Sequence, residues 1–405
     1  MKKRIYMDNA ATSFPKPPRV VEAMVRFMTE VGANPGRSTH EQSMEAAHIV
    51  DSTREKLARL FNIRDPKRIV FTLNATESLN TVIYGFLNAH DHVIVTQMEH
   101  NSVLRPIRHL EKSMGIEVSV IPCDKMGFLD LDFLSKTIRP TTALVCVNHA
   151  SNVCGVIQDI KSVRGIIDGI PLLLDAAQTA GELNIDVEEL GVDFLAFTGH
   201  KALLGPQGVG GLYVREGLNL EPLKRGGTGS FSESQDQPDF FPDAFESGTR
   251  NNVGIAGLGA AVDFLFETGI DTIRNHCMSL LRVLIDELVS VPGIVLYGPL
   301  DPEKQAPILS VTFDRALPDG LDMSFGGCGG RAIPATFETL HPHEVGTILR
   351  DEYEISVRVG LHCAPLAHQA LGTFPDGTVR FSLGFFNTVQ DVEITAAAIK
   401  RIAEK

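Results

Sequence analysis

Seven short runs that are apolar nearly throughout recur in the first half of the chain, at 68–73, 92–97, 117–122, 142–149, 171–177, 194–200 and 210–215. Gly, Pro or Asp bounds each of them, the pattern of strands buried on both faces. Between several lie segments of helical period, at 78–88 and 102–112. That alternation predicts a large α/β domain whose mainly parallel sheet is covered by helices. From 226 to 252 the composition turns to Gly, Ser, Asp, Pro and Phe, which reads as a long irregular loop with a functional purpose. Beyond it come apolar helices at 255–266 and 273–291, strands near 294–297 and 307–313, a helix at 343–353 and a closing helix from 389 onward. Their segregation predicts a second, smaller α+β unit.

The 405 residues are 43% apolar and 21% charged, which excludes disorder as the main state and gives enough chain for two packed domains. Lys and Arg total 37 against 50 Asp and Glu, a net charge of −13 with no dense basic run, so nucleic acid is not an expected partner. Six cysteines, at 123, 146, 154, 277, 328 and 363, are scattered without a CxxC pair. This fits a reducing compartment, with a cytoplasmic location expected and neither a disulfide framework nor a metal cage. Lys2, Lys3 and Arg4 look like the start of a signal peptide, but polar Asp8, Asn9, Thr12 and Ser13 follow. No apolar stretch reaches membrane-spanning length, so neither export nor membrane insertion is expected.

Five groups of polar residues fall at the predicted carboxyl ends of strands. Lys201, in Phe197-Thr198-Gly199-His200-Lys201, follows one of them. A lysine on that edge sits where open α/β folds bind ligands, and partial desolvation lowers its pKa toward a nucleophilic amine able to form a Schiff base. By itself it reads equally well as a surface lysine in a loop. Asp175, in Leu174-Asp175-Ala176-Ala177-Gln178, needs a cationic partner if buried, which a protonated pyridine nitrogen supplies; it is otherwise a helix cap. Asn74-Ala75-Thr76-Glu77-Ser78 opens a helix and suits either a phosphate cradle or plain capping. His100 is placed to stack on a flat ring or to serve structure, and Asn152 to donate to a ligand oxygen or satisfy a turn. Their common rim describes one site.

With these motifs the chain resembles the fold-type I pyridoxal phosphate enzymes, within them the class V aminotransferase group that contains cysteine desulfurases and selenocysteine lyases. The resemblance runs from Tyr6-Met7-Asp8-Asn9-Ala10-Ala11-Thr12 to Arg380-Phe381-Ser382-Leu383-Gly384-Phe385-Phe386-Asn387-Thr388. It implies pyridoxal phosphate as cofactor, with Lys201 the Schiff-base lysine, Asp175 the partner of the ring nitrogen, Gln178 a donor to the phenolic oxygen and His100 the stacking imidazole. Ala75, Thr76, Thr198 and His200 are then expected around the phosphate. Phe245-Glu246-Ser247-Gly248-Thr249 resembles the segment that reaches the neighbouring subunit's phosphate, so Thr249 implies a homodimer with shared sites. The expected fold is a large domain, 15–252, with a seven-stranded mainly parallel sheet, and a small domain formed by 1–14 and 253–405.

Val357-Arg358-Val359-Gly360-Leu361-His362-Cys363-Ala364-Pro365 resembles the loop that carries the desulfurases' persulfide-forming cysteine. Pro365 and Gly372 after Cys363 predict a loop, as a reactive thiol requires. Arg380 matches the position that grips the substrate carboxylate, with Asn152 as a further substrate contact, and an ion pair holding the small domain is its structural alternative. The implied reaction takes sulfur or selenium from L-cysteine or L-selenocysteine, with Lys201 moving protons and the Cys363 thiolate accepting the chalcogen as L-alanine leaves. A sulfur or selenium acceptor protein is an implied partner. The stretch 317–341 looks longer than the usual desulfurase connection and holds Cys328 among four glycines, a candidate second thiol or an incidental one. Pro365-Leu366-Ala367-His368 also departs from the commoner polar sequence, which leaves sulfur and selenium as alternatives. An aminotransferase, or an idle chalcogen carrier, is the remaining reading.

Overall fold

The computed structural model describes residues 4–36, 40–231, 233–314 and 339–404, and Cys328 with its glycines lies outside them. Short strand β1 (Ile5–Tyr6) precedes a seven-stranded sheet of β2 (Ile69–Thr72), β3 (His92–Thr96), β4 (Glu117–Ile121), β5 (Thr142–Asn148), β6 (Leu172–Asp175), β7 (Phe194–Thr198) and β8 (Gly210–Val214). Their order across the sheet is β2-β8-β7-β6-β5-β3-β4. Only β8 is reversed: it pairs antiparallel with both β7 and β2, so β2 again points the same way as β7, and the pairs from β7 to β4 are parallel. The carboxyl ends of β2, β3, β5, β6 and β7 therefore share one rim, as the strand-end residues predicted.

The strands read as apolar runs because both faces are covered. Ile94, Val145, Val147 and Leu174 face one core together with Val50 and Leu57 of the helix Glu41–Leu60, while Val93, Val95, Leu144 and Leu173 face another with Leu79 and Val82 of the helix Ala75–Phe86. This is the alternation of successive side chains across a sheet.

The second unit is a sheet of β9 (Ile294–Tyr297), β10 (Ile308–Asp314), β11 (Thr339–Leu340), β13 (Arg358–Gly360) and β14 (Thr378–Ser382), with β10 and β14 at its centre. Leu281 and Leu284 of the helix Ile270–Leu288 and Val392 and Ile399 of the helix Val389–Ala403 cover it, against Leu309, Val311, Val379 and Phe381. β1 pairs in parallel with β12 (Ile355–Ser356), tying the N-terminus to this unit.

Two expectations change in detail. The apolar helix expected at 255–266 runs Asn252–Thr268, and its Ile255, Leu258, Val262 and Leu265 lie in a core of the large sheet. It approaches its neighbours so closely that a Cβ on Gly259 would meet Thr53 Oγ1 at 2.4 Å and one on Gly257 would meet Met24 Cγ at 2.8 Å. The segment after Cys363 is a short helix, Pro365–Leu371, and not a continued loop; Pro365 opens it and Gly372, at φ +76°, closes it in the left-handed region. Cys363 itself stands in the turn before that helix. No single helix among the described residues is long and apolar enough to cross a membrane, and the two helices Asn252–Thr268 and Ile270–Leu288, which qualify only as a pair, are bent by 80° and buried in the cores.

The irregular segment before Asn252 is fastened by one buried ion pair. Glu246 accepts from Arg54 Nη1 at 2.8 Å, from Arg54 Nη2 at 3.0 Å and from the Phe71 N–H at 2.7 Å. Burial alone would raise its pKa, but Arg54 and Arg250 hold it below the usual carboxylate range. Glu246→Ala is therefore expected to destabilise the fold by about 3–5 kcal/mol, read by urea unfolding, because Arg54 is left buried without its acid. In the unaltered protein this contribution persists at neutral pH and is lost only as pH falls through the lowered pKa.

Candidate active site

The rim of the large sheet brings most of the expected residues together. One cleft is lined by Ala75, Thr76, His100, Asn152, Asp175, Gln178, Thr198, His200 and Lys201. Lys201 follows β7 and Asp175 ends the adjacent parallel β6. Burial lowers the Lys201 pKa to about 8, with Asp175 and Asp8 opposing and Arg380 and Arg358 reinforcing the shift. Asp175 is pushed up by burial, against the Ala177 N–H bonded to its Oδ1 at 2.9 Å and the charge of Lys201. The amine is thus unusually easy to deprotonate, and the carboxyl feels the charge of Lys201 but forms no ion pair among the described residues.

The helix Ala75–Phe86 starts at this rim because Asn74 caps it, its Oδ1 accepting from the Glu77 N–H at 3.0 Å. The first two N–H groups, of Ala75 and Thr76, have no intrahelical partner. Beside them, Thr198 Oγ1 and His200 Nδ1 are buried polar atoms without a hydrogen bond. Orphaned donors of this kind, next to a helix N-terminus, fit a phosphate group. His100 caps the helix Asn101–Met114, its Nδ1 accepting from the Ser102 N–H at 3.1 Å, and burial with the nearby cations lowers its pKa to about 4. Its ring is neutral at ordinary pH and suited to lie on a flat aromatic. A pyridoxal phosphate thus fits the residues present. Gln178 is partly committed, donating from Nε2 to the Ala10 carbonyl at 3.1 Å.

The second unit contributes the thiol and the guanidinium. Cys363 is exposed, whereas Cys146, Cys154 and Cys277 are buried and Cys123 is half-buried. His362 and Cys363 both adopt left-handed backbone, at φ +47° and +60°. The strain is held from both sides: Asn152 Nδ2 donates to the His362 carbonyl at 2.7 Å, and the Asn101 N–H donates to the Cys363 carbonyl at 2.8 Å. Arg380, on β14, is buried; its Nη1 donates to the Asn152 carbonyl and its Nη2 to Asp8 Oδ1, each at 2.8 Å. The structural ion pair weighed for this arginine is thus present, beside the same cleft residue, Asn152.

Thr249 is not brought into this cleft. It lines a separate hollow with Leu73, Glu77, Lys224 and Ser247.

Several site residues went unread in the sequence. The His200 carbonyl, one residue before the lysine, accepts from the Ser13 N–H at 2.9 Å, Thr12 Oγ1 at 3.1 Å and Lys16 Nζ at 2.8 Å. Glu99 is fully buried behind Asp175, accepting at Oε1 from Thr96 Oγ1 and the Asn148 N–H, each at 2.8 Å; burial and the charge of Asp175 raise its pKa to about 8. His362 Nε2 meets Thr378 Oγ1 at 3.0 Å, and the chain continues from Thr378 to Ser310 Oγ and from Ser310 to the Val153 carbonyl. Because the last acceptor is a carbonyl, every proton in the chain points toward it and His362 must carry its own on Nε2. The signal for Glu99 was available, since a Glu followed by His at a strand end sits where burial is expected; the others depend on contacts between residues hundreds of positions apart.

An open α/β sheet that gathers an activated lysine and a buried acid at its carboxyl rim, with a second unit bringing an arginine and a thiol, defines a lysine-dependent enzyme of amino-group chemistry. Residues 5–324 and 328–394 match the aminotransferase class-V family, and the chain belongs to it. A cysteine desulfurase of Yersinia pestis is 32% identical over 98% of this chain and 93% of its own length. Among solved structures, the apo cysteine desulfurase of Thermococcus onnurineus NA1 superposes with a TM-score of 0.87 at 33% identity, covering 99% of this chain and 95% of its own. The S-sulfonic acid form of the cysteine desulfurase CsdA from Escherichia coli gives 0.84 at 30% identity, with 99% and 95% covered.

The exposures generate a direct test. Brief treatment of the native protein with iodoacetamide, followed by peptide mapping, is expected to label Cys363 well before Cys123, Cys146, Cys154 or Cys277, and denaturation should level the difference.

Proposed function

We propose that this protein is a pyridoxal phosphate-dependent cysteine desulfurase that releases sulfur from L-cysteine, forms L-alanine and holds the sulfur as a persulfide on Cys363. The observation that carries this reading is the attachment of the exposed Cys363: its own carbonyl accepts from the Asn101 N–H, and the carbonyl of the preceding His362 accepts from Asn152, which lines the cleft of Lys201 and Asp175.

When bound, pyridoxal phosphate supplies an aldehyde that exchanges amines and a ring that draws electrons from the substrate Cα. Ala75, Thr76, Thr198 and His200 hold its phosphate, and His100 covers a ring face. Asp175 keeps the proton on the ring nitrogen, and the free amide hydrogen of Gln178 serves the phenolic oxygen. Arg380 orients the substrate through its carboxylate, with Asn152 alongside. Lys201, once released, takes the Cα proton on Nζ, a transfer that its lowered pKa favours. The Cys363 thiolate attacks the substrate sulfur, the sulfur–carbon bond breaks with its electron pair going to Cβ, Cβ takes up a proton, and Lys201 Nζ returns its proton to Cα to give alanine.

The same proposal divides the chain at 15–252 and at 1–14 with 253–405, the helix Asn252–Thr268 packing back from that boundary into a core of the large sheet. It takes the protein as a cytoplasmic homodimer in which Thr249 of the partner subunit completes the phosphate site, which is supported by the separation of Thr249 from Lys201 within one chain.

Borohydride reduction of the cofactor-loaded protein should fix the label at Lys201, and Lys201→Ala should lower alanine formation by about 10²–10⁴-fold. Loss of sulfide release from L-cysteine in Cys363→Ala is expected; undiminished release would overturn the persulfide step. Selenide release retained by that variant would assign the enzyme to selenocysteine. Capture of pyridoxal phosphate by the apoprotein requires neutral Lys201, so its rate should rise as pH increases through about 8.

A further inference from the structure

Arg380 is already paired, with two of its five N–H hydrogens committed. Its Nη1 donates to the Asn152 carbonyl and its Nη2 to Asp8 Oδ1, both at 2.8 Å, while its Nε is buried without a partner. Each terminal nitrogen already donates once. A carboxylate that takes the guanidinium fork in two hydrogen bonds must therefore share a nitrogen with one of these acceptors or displace it. The Asn152 carbonyl belongs to buried backbone. Asp8 is a side chain, 19% exposed against 2% for its arginine, and is the acceptor able to yield.

The surrounding charges point the same way. Arg358 stands directly across from Arg380 in the β13–β14 ladder, on the same face of the sheet. Like charges so placed repel one another. Arg358 is exposed and takes part in no ion pair among the described residues. Lys201 lies within electrostatic reach of Arg358 and Arg380 on one side and of Asp8 and Asp175 on the other. Two guanidinium groups thus stand side by side with one ion pair between them, that of Arg380 with Asp8.

We propose that Asp8 is a built-in stand-in for the substrate carboxylate: it holds Arg380 charged, oriented and paired in the empty site, and gives up hydrogen bonds on that guanidinium when an amino acid enters. This rests on the reading of Arg380 as the carboxylate-binding residue and adds to it the group that sets how tightly the carboxylate is held. Asp8 acts through Arg380 and is a specificity-determining residue, not a catalytic one.

Asp8→Asn tests it, since the amide keeps an oxygen acceptor for Nη2 and removes only the competing charge. With the cofactor-loaded enzyme, the KM for L-cysteine and the Kd for L-alanine, the latter read from the cofactor's absorbance, are both expected to fall roughly five-fold, the effect of removing one partly solvated ion pair. Arg380→Lys, measured in parallel, should raise both constants. If Arg380→Lys raises them and Asp8→Asn leaves them unchanged or raises them too, Asp8 is only a strut for Arg380 and the proposal fails while the role of Arg380 stands. If Arg380→Lys changes neither, the reading of Arg380 fails and takes the proposal with it. Should Asp8→Asn not fold, Asp8→Ser removes the same charge and is measured in its place, with the same outcomes.

Discussion

The site depends on a cation and an acid buried at the ends of two neighbouring parallel strands. β6 and β7 pair so that Asp175 lies opposite Ala196, a few residues before Lys201. Neither group would tolerate burial alone: desolvation drags the amine toward neutrality and the carboxyl toward protonation, and each moderates the other. What remains is an amine whose pKa is lowered and a carboxyl whose pKa is raised, held by strands that are largely apolar. The fold provides this by a simple device. One reversed strand, β8, separates β7 from β2, so that β2 recovers the direction of the parallel strands and delivers the Asn74-capped helix to the same rim.

The rim could be read from the sequence because it is local. A doubly buried strand shows as an apolar run, and the residue that follows it is placed by the strand's end, so Lys201, Asp175, Thr76 and His100 were predictable from their positions alone. The roles assigned to them came from resemblance. Contacts that link distant parts of the chain left no comparable trace. Nothing in Thr12, Ser13 or Lys16 announces that they converge on the carbonyl of His200, and nothing in Asp8 announces Arg380. The helix Asn252–Thr268 shows the same limit from another side. Its composition signals burial but not which sheet it covers, and that choice is made by Gly257 and Gly259, which admit Met24 and Thr53 at distances no side chain would allow.

Between the two units an apolar cluster of Met98, Val153 and Val156 with Ala364, Ala367 and Leu371 is joined by directional polar bonds. Arg380 reaches the carbonyl of Asn152, Asn152 reaches that of His362, and Asn101 reaches that of Cys363. These bonds fix the thiol's turn to the start of the helix capped by His100. A shift of the second unit away from the large sheet would have to break these bonds to the left-handed pair His362-Cys363.

The β1 strand has a consequence for synthesis of the chain. Ile5 pairs with Ile355, and Asp8 with Arg380, so neither contact can form until the long stretch of chain between its partners has been made. Until then the segment that braces the lysine's neighbour has only part of its attachment. A chain that stops short of β14 therefore lacks both the partner of Asp8 and the strand that completes the centre of the second sheet.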